Sequence, residues 1–595
     1  MMLNIRDRIS IVTVVLVIMM TALSLRLVEL QLLRHKELKQ AAMANHTFKR
    51  IIIGRRGDII DSQGGILATS VPKKDIWADL IKMRQLLERK SSSLSKNTSS
   101  QEISNTQHIA EVLASNLNLD VDSVYQKLNS PKALVKISEA IPLEVWENLS
   151  QFKLPGIIAV DTYKRFYPLR GMAAQVVGFV DKAHVGRGGI EATFDDYLRG
   201  IDGWIIEMRD ARAREIRAYR EEDVPAYDGF NVVLTIDTTI QHIVEEELTH
   251  AWATHRARAA YGIVMRPSDG AILAMANIPT YDPNNTTSID WSLARNRCIT
   301  DTFEPGSTFK IVTLASALEN EIVNLQTRIF CENGIFYFAG YPLRDVGQHG
   351  WLTAQEIMEK SSNIGFAKIA LSLGNTRLHQ AACSFGFGAP QLDGALPAEA
   401  AGTLRPVHRW SKISITRVPI GHEVAATPLQ MVCAMSVIAN NGLRMKPLIV
   451  REIRDNLGRT VARFAPRIIS QPIKPSTARS LTQALVGVTQ KGTARLAQVP
   501  GFTVAGKTGT ANKWDPQKRE YSKTKYLSSF IGFVPAYNPA FTVLVVVDEP
   551  QGDEFYGGRV AAPVFAKIAA RIARHMDLTP ETPSHTKPET NFASM

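Results

Sequence analysis

The first long run of the chain without a charge spans residues 9–25, and with Arg26 and Glu29 near its end the apolar stretch continues to Leu33. A helix of about 25 residues is long enough to cross the hydrocarbon core of a bilayer. Arg6 and Arg8 precede it with Asp7 between them, and Arg34, His35 and Lys36 follow, so flanking charge favours a cytosolic N-terminus only weakly. The run is longer than the apolar part of a secretory signal, and no small-residue cleavage site follows it. The pattern predicts a cytosolic tail over 1–8, an uncleaved transmembrane anchor over 9–33, and the rest of the chain outside the cytosol, in the periplasm or its equivalent.

Beyond the anchor, residues 41–227 mix short extended runs with helical ones, and 89–107 is polar and Ser-rich, the composition of a mobile loop. Residues 231–237 read as a strand that leads into a helix with Ile240, Ile243, Val244 and Leu248 at helical spacing. The turn-rich segment 225–229 just before it is the natural domain boundary. Apolar runs at 261–265 and 271–276 flank the turn residues 266–270, a hairpin signal. Helical patterns dominate from 307 to about 440, and strands return at 502–510, 527–534 and 541–548. Strands first, helices in the middle and strands last predict an α/β protein of the α+β type, an antiparallel sheet flanked by helices. The expected layout is an elongated mixed pedestal over 40–228, a main domain over 230–576 and a Pro/Thr/Ser-rich disordered tail over 577–595. With 595 residues, more than one folded unit is expected in any case.

Charge narrows the surroundings without fixing them. A formal net charge of +12 suits membrane phosphates or wall polymers, although a solvated basic surface accounts for it equally well. No zinc-finger, RNA-recognition or basic-region pattern is present, so nucleic acid is the weaker choice. The four cysteines, Cys298, Cys331, Cys383 and Cys433, form no CxxC pair. They read as isolated thiols, with pairing in an oxidising compartment left open. No cluster has metal-ligand spacing, and no metal or organic cofactor is implied.

Chemistry enters at FEPGSTFK, residues 303–310. Pro305 and Gly306 suit a helix entrance, and Phe309, Val312, Ala315 and Leu318 give an apolar stripe. Ser307 and Lys310 would then share one face, with the lysine neutral enough to take the serine's proton. By itself this S-x-x-K spacing means little, because the chain repeats it at Ser70, Ser93, Ser150, Ser522 and Ser584. Two further segments change that. KSSN, residues 360–363, supplies Ser361 as a proton relay and Asn363 as an amide to hold a peptide bond. Strand-like FTVAGKTGT, residues 502–510, supplies Lys507 as a second cation that could also attract a substrate carboxylate. In the same segment Gly509, with no side chain, lets the strand edge approach a bound peptide, Thr508 is a substrate-binding candidate beside it, and the Thr510 N–H joins that of Ser307 around an oxyanion. Read singly, each of these is more often a helix cap or a strand end.

In that order the three segments resemble the penicillin-binding protein and serine β-lactamase pattern. LTID (234–237) with Gln241, RGDIID (56–61) with Gly64, Tyr167-Pro168, Gly178, Gly189-Ile190-Glu191 and Phe194-Asp195 extend the resemblance to class B penicillin-binding proteins over about 40–576. FVPA (533–536), Asn538-Pro539, DEPQ (548–551) and Tyr556-Gly557-Gly558 are most similar to the septal, cell-division branch. Ser62, Gln175 and the segment 419–423 depart from the family pattern. The resemblance implies a peptidoglycan D,D-transpeptidase that cross-links D-Ala-D-Ala stem peptides through an acyl-Ser307 and is acylated by β-lactams. It also implies work beside a SEDS-type glycosyltransferase and other division membrane proteins. An elongation-type enzyme, a β-lactamase-like or β-lactam-sensing protein, and a division scaffold with a vestigial site are the alternatives.

Overall fold

A computed structural model of the chain describes residues 5–38, 47–92, 98–208, 222–285, 289–515, 517–518 and 520–581. Helix α1, Ile5–Val28, continues through a π turn, Glu29–Leu33, so that Ile9–Leu33 is one apolar helical run of 25 residues with none of its surface buried. That length and exposure fit a single-pass membrane anchor.

The remainder falls into two compact units whose segments interleave along the chain. The smaller takes 1–55, 72–163 and 200–228; the larger takes 56–71, 164–199 and 229–595. The smaller unit has its own core, with Ile76, Leu80, Met83, Ile109, Leu113 and Leu128 among its buried side chains. Here the loop expected at 89–107 is corrected: helices Leu80–Ser92 and Thr98–Leu117 cover most of it, and only 93–97 lies outside the described residues. Ile109, Ala110, Leu113 and Ala114 anchor the second helix at helical spacing, and once a turn is nucleated there each further residue adds one backbone bond.

In the larger unit the elements that position the site are α2, Thr238–Thr254; β1, Ala259–Met265; β2, Ile272–Ile278; and α3, Lys310–Glu319. A hairpin follows, β3, Ile335–Phe338, and β4, Tyr341–Arg344, then α4, Ala354–Lys360, and α5, Asn363–Leu373. The series closes with α6, Pro428–Ala439; α7, Pro475–Gln490; β5, Ala505–Asp515; β6, Glu520–Val534; β7, Phe541–Asp548; and α8, Gly557–His575. Five strands form one antiparallel sheet in the order β2-β1-β7-β6-β5, so the last-but-two strand of the chain is an edge. Every residue of β1, β2 and β7 is buried, which requires cover on both faces and explains why these strands read as continuous apolar runs. Helices α2 and α8 pack on the sheet and on each other, while α6, buried at all twelve positions, packs on β1, β6 and β7. Helices dominate the stretch from 307 to about 440, which also holds the β3–β4 hairpin and the pair Arg328–Phe330 with Trp351–Thr353. Residues 577–581 are not a free tail: Leu578 packs on the core, and Glu581 bonds to Gly501 and Thr503. Residues 582–595 lie outside the described part.

Several residues quoted from the N-terminal half meet in one ionic cluster within this unit. Glu191, with no exposed surface, accepts from Arg56 Nε at 2.7 Å, Arg165 Nε at 2.6 Å and the Tyr167 hydroxyl at 3.2 Å. Asp195 takes the other arm of Arg56 at 2.6 Å. A buried pair repays its desolvation only while both partners are present. Glu191→Gln is therefore expected to cost about 3–5 kcal/mol by leaving the buried Arg165 without a carboxylate partner and Arg56 with Asp195 alone. Chemical denaturation of the detergent-solubilised chain checks this, and an unchanged midpoint would show the cluster to be incidental.

Candidate active site

The segment 303–310 is held from behind by backbone. Phe303 and Ala426 exchange two hydrogen bonds, of 3.0 and 2.9 Å, and the Gly306 N–H donates to the Gly421 carbonyl at 3.2 Å. A Cβ at Gly421 would stand 2.1 Å from the Gly306 oxygen, so only glycine lets the two segments meet. Residues Gly306–Phe309 form a 3-10 turn, tighter than the expected α-helical entrance, and α3 begins at Lys310. Phe309 is fully buried and packs edge-on against Phe387, which drives Lys310 into the interior with no exposed surface.

The second segment reaches Lys310 from across the site. In the helical region expected for it, the segment is the break between two helices, where Ser361 and Ser362 serve as caps. Helix α4 starts with a reciprocal Thr353–Glu356 cap and ends at Ser361, whose φ of 55° lies in the left-handed region. Ser362 then caps α5 by accepting from the Gly365 N–H. The Lys310 amine lies 2.7 Å from the Ser361 carbonyl oxygen, 2.7 Å from Asn363 Oδ1 and 3.1 Å from Ser361 Oγ. Ser361 Oγ is also 3.1 Å from Ser307 Oγ. One hydroxyl thus bridges the serine and the lysine.

The third segment lies on edge strand β5. Lys507 is fully buried, with its amine 3.1 Å from the Thr508 carbonyl oxygen. Burial pushes the Lys507 amine down from its ordinary 10.5 to about 7. Lys310 is driven well below its ordinary value by burial first and by the cation of Lys507 second, with Asp345 pulling the other way. The Thr508 hydroxyl lies 3.3 Å from the Lys507 amine and 3.0 Å from the Thr493 hydroxyl. The half-buried Thr510 accepts from the Gly557 N–H through its hydroxyl at 2.9 Å. Gly509 also meets two neighbours within the protein. A Cβ there would lie 2.4 Å from Ser529 Oγ and 3.0 Å from the Thr308 methyl, so the missing side chain seats the 3-10 turn against the strand.

Several residues of the site carry no local sequence signal. Asp345 accepts from the Ser362 hydroxyl at 2.5 Å and from the Ile364 N–H at 3.0 Å, fixing the start of α5. Glu304 accepts from the Tyr521 hydroxyl at 2.9 Å and from the Glu423 N–H at 2.9 Å, with His422 Nδ1 at 3.4 Å. It ties the turn bearing Ser307 to the 418–425 loop and to β6. Only the fold brings these side chains together.

Residues 260–570 match the family described as the penicillin binding protein transpeptidase domain, and 51–234 match the penicillin-binding protein dimerisation domain. Stage V sporulation protein D of Bacillus subtilis is 33% identical over 537 residues, covering 87% of this chain and 82% of that protein. The peptidoglycan D,D-transpeptidase FtsI of Escherichia coli K12 is 31% identical over 531 residues, covering 88% and 84%. A crystal structure of a peptidoglycan synthetase from Bifidobacterium adolescentis superposes with a TM-score of 0.71 at 26% identity, over 90% of this chain and 98% of that one. The chain belongs to the penicillin-binding proteins, in the class that carries a dimerisation domain ahead of the transpeptidase domain. It is a class B enzyme, a serine-type peptidoglycan D,D-transpeptidase that binds stem peptides and is a target of penicillins.

Two outcomes follow from the packing. Gly509→Ala should force β5 and the 3-10 turn apart, cost about 1–3 kcal/mol and slow acylation by a labelled penicillin roughly 100-fold. Adding Ser529→Ala should restore part of that rate; no restoration would mean the contact is not what limits it. The depressed Lys507 has a linkage signature as well. Between about 7 and 10.5 the unfolded chain holds a proton that the folded one has released, so stability rises with pH across that window. Lys507→Met removes this term, so its stability relative to wild type should be greater at about pH 6 than at about pH 9.5. Parallel denaturation midpoints at the two pH values would contradict the depressed amine.

Proposed function

We propose that Ser307 is the nucleophile and that Lys310, neutral when substrate arrives, removes its proton through the Ser361 hydroxyl. The single observation that carries this is the unbroken path from Ser307 Oγ through Ser361 Oγ to a buried amine, each step 3.1 Å long. With the amine neutral, two N–H groups serve the Ser361 carbonyl and Asn363 Oδ1, and the lone pair is left for the Ser361 hydroxyl. Ser307 attacks the penultimate D-Ala carbonyl of a donor stem, the Ser307 and Thr510 N–H groups receive the oxyanion, and the terminal D-Ala amine leaves with the relayed proton. Lys507, with Thr508 and Gly509 shaping the strand beside it, supplies positive charge near the donor carboxylate, and Asn363 holds the stem's amide. An amine from a second stem then opens the ester. A β-lactam follows only the first half and leaves a slowly released acyl-Ser307.

The finer role we propose is septal wall synthesis, with the catalytic unit outside the cytosol beside a SEDS-type glycosyltransferase. Residues 533–536, 548–551 and 556–558 support that reading by their likeness to the division branch. Ser307→Ala should take up no labelled penicillin at unchanged expression and melting temperature; label retained on the variant would move the nucleophile elsewhere. A fluorescent fusion to the full chain should collect at the division site, whereas a signal spread along the side wall would favour the elongation branch.

A further inference from the structure

The β3–β4 hairpin has two unlike faces. Register pairs Ile335 with Arg344, Phe336 with Leu343, Tyr337 with Pro342 and Phe338 with Tyr341. Phe336, Phe338 and the buried Leu343 point inward onto the main core, and the amine of Lys368 sits 5.2 Å from the Phe336 ring centroid. The opposite face presents Ile335, Tyr337, Pro342 and Arg344, with Tyr337 66% exposed. Arg344 has no side-chain hydrogen bond or ion pair among the described residues. The inner face fixes the hairpin without help from the outer one, so packing does not require an aromatic ring there.

This outer face is continuous with the active site. The Arg344 carbonyl accepts from Asn363 Nδ2 at 3.0 Å, on the same amide whose oxygen faces Lys310. The next residue, Asp345, holds the start of α5. We propose that the outer face of the hairpin docks the glycan strand that carries the donor stem peptide, a reading that rests on the transpeptidase function above. The chemistry fits a carbohydrate. The flat Tyr337 ring, flanked by Ile335 and Pro342, offers an apolar surface to the C–H face of a sugar, with a hydroxyl at its edge for the sugar's own. The Arg344 guanidinium offers a fork to a carboxylate of the stem peptide that the saccharide carries. Size argues the same way. Two strands of four residues make a face roughly 13 Å long, well short of the roughly 800 Å² per side that a stable protein interface buries. An oligosaccharide needs no more.

The test uses the full-length enzyme in detergent with two substrates, a small labelled penicillin and purified uncross-linked peptidoglycan strands. Tyr337→Ala should be acylated at the wild-type rate yet show a loss of roughly tenfold or more in cross-linking efficiency, expressed mainly in KM. Penicillin-blocked Tyr337→Ala should also sediment less with the strands, and Tyr337→Phe should restore both values. Arg344→Gln should weaken strand binding and flatten its salt dependence. Equal cross-linking by wild type and Tyr337→Ala would overturn the docking face while leaving the nucleophile assignment intact. An equal fall in penicillin acylation would also overturn it, by showing that the hairpin acts through Asn363 alone. Normal purified activity with loss of function only in cells would assign the face to a protein and reject the glycan. A wild-type enzyme that takes no label would sink the transpeptidase reading, and this inference with it.

Discussion

A primary amine with no contact with water is the constraint around which the site is built. Lys310 reaches its position because α3 is a core helix: eight of its ten residues, 310–317, are buried, and Phe309 leads it inward. Once inside, the amine has to be met by acceptors, and the Ser361 carbonyl and Asn363 Oδ1 meet it at 2.7 Å each. An ammonium there would be expensive, since both burial and Lys507 oppose its charge. The energetic conflict lowers the amine well below its ordinary value and so favours the neutral form that the proposed proton relay needs. It is affordable only because the surrounding core is large and the neighbouring segments are rigidly tied.

Those ties depend on backbone conformations that side chains ordinarily avoid. Ser361 sits in the left-handed region at φ 55°, Gly306 at 53° and Gly421 at 81°. The strain at Ser361 is of order 1 kcal/mol or more and persists because α4 and α5 are each capped on either side of it. Asp345 reinforces the second cap from a separate loop. On the other flank, the edge position of β5 leaves one side of the strand without a sheet partner among the described residues, which is the surface a bound extended peptide can use. Glu304 joins the turn, the 418–425 loop and Tyr521 of β6, so one carboxylate ties the three segments together.

What could be read in advance follows from the range of the interactions involved. The strands of the main sheet are visible as apolar runs because burial on both faces demands it, and α2 is visible by the spacing of Ile240, Val244 and Leu248. The Ser307, Ser361 and Lys507 motifs are legible because their chemistry needs those residue types in that order. The 3-10 turn was hidden, since Gly306–Phe309 carries the same helix-entrance composition as an α-helix. Gly509 announces a close approach, but not that Ser529 and Thr308 stand beside it. Asp345, Glu304, His422 and Tyr521 carry no local signal, because each acts across a long loop. The polar stretch at 89–107 misled by composition, where the apolar positions from Ile109 onward decide for helix.

The account stands on Lys310 being an unprotonated base, and the rate of Ser307 acylation as a function of pH tests that most directly. Measured with a β-lactam whose own charge is fixed, from about pH 5 to about pH 10, the second-order rate constant reports ionisations of the free enzyme. A rise that levels off well below the ordinary lysine value of 10.5 is the predicted result. A rate that keeps climbing to the alkaline limit, as an ordinary protonated lysine would impose, would contradict it.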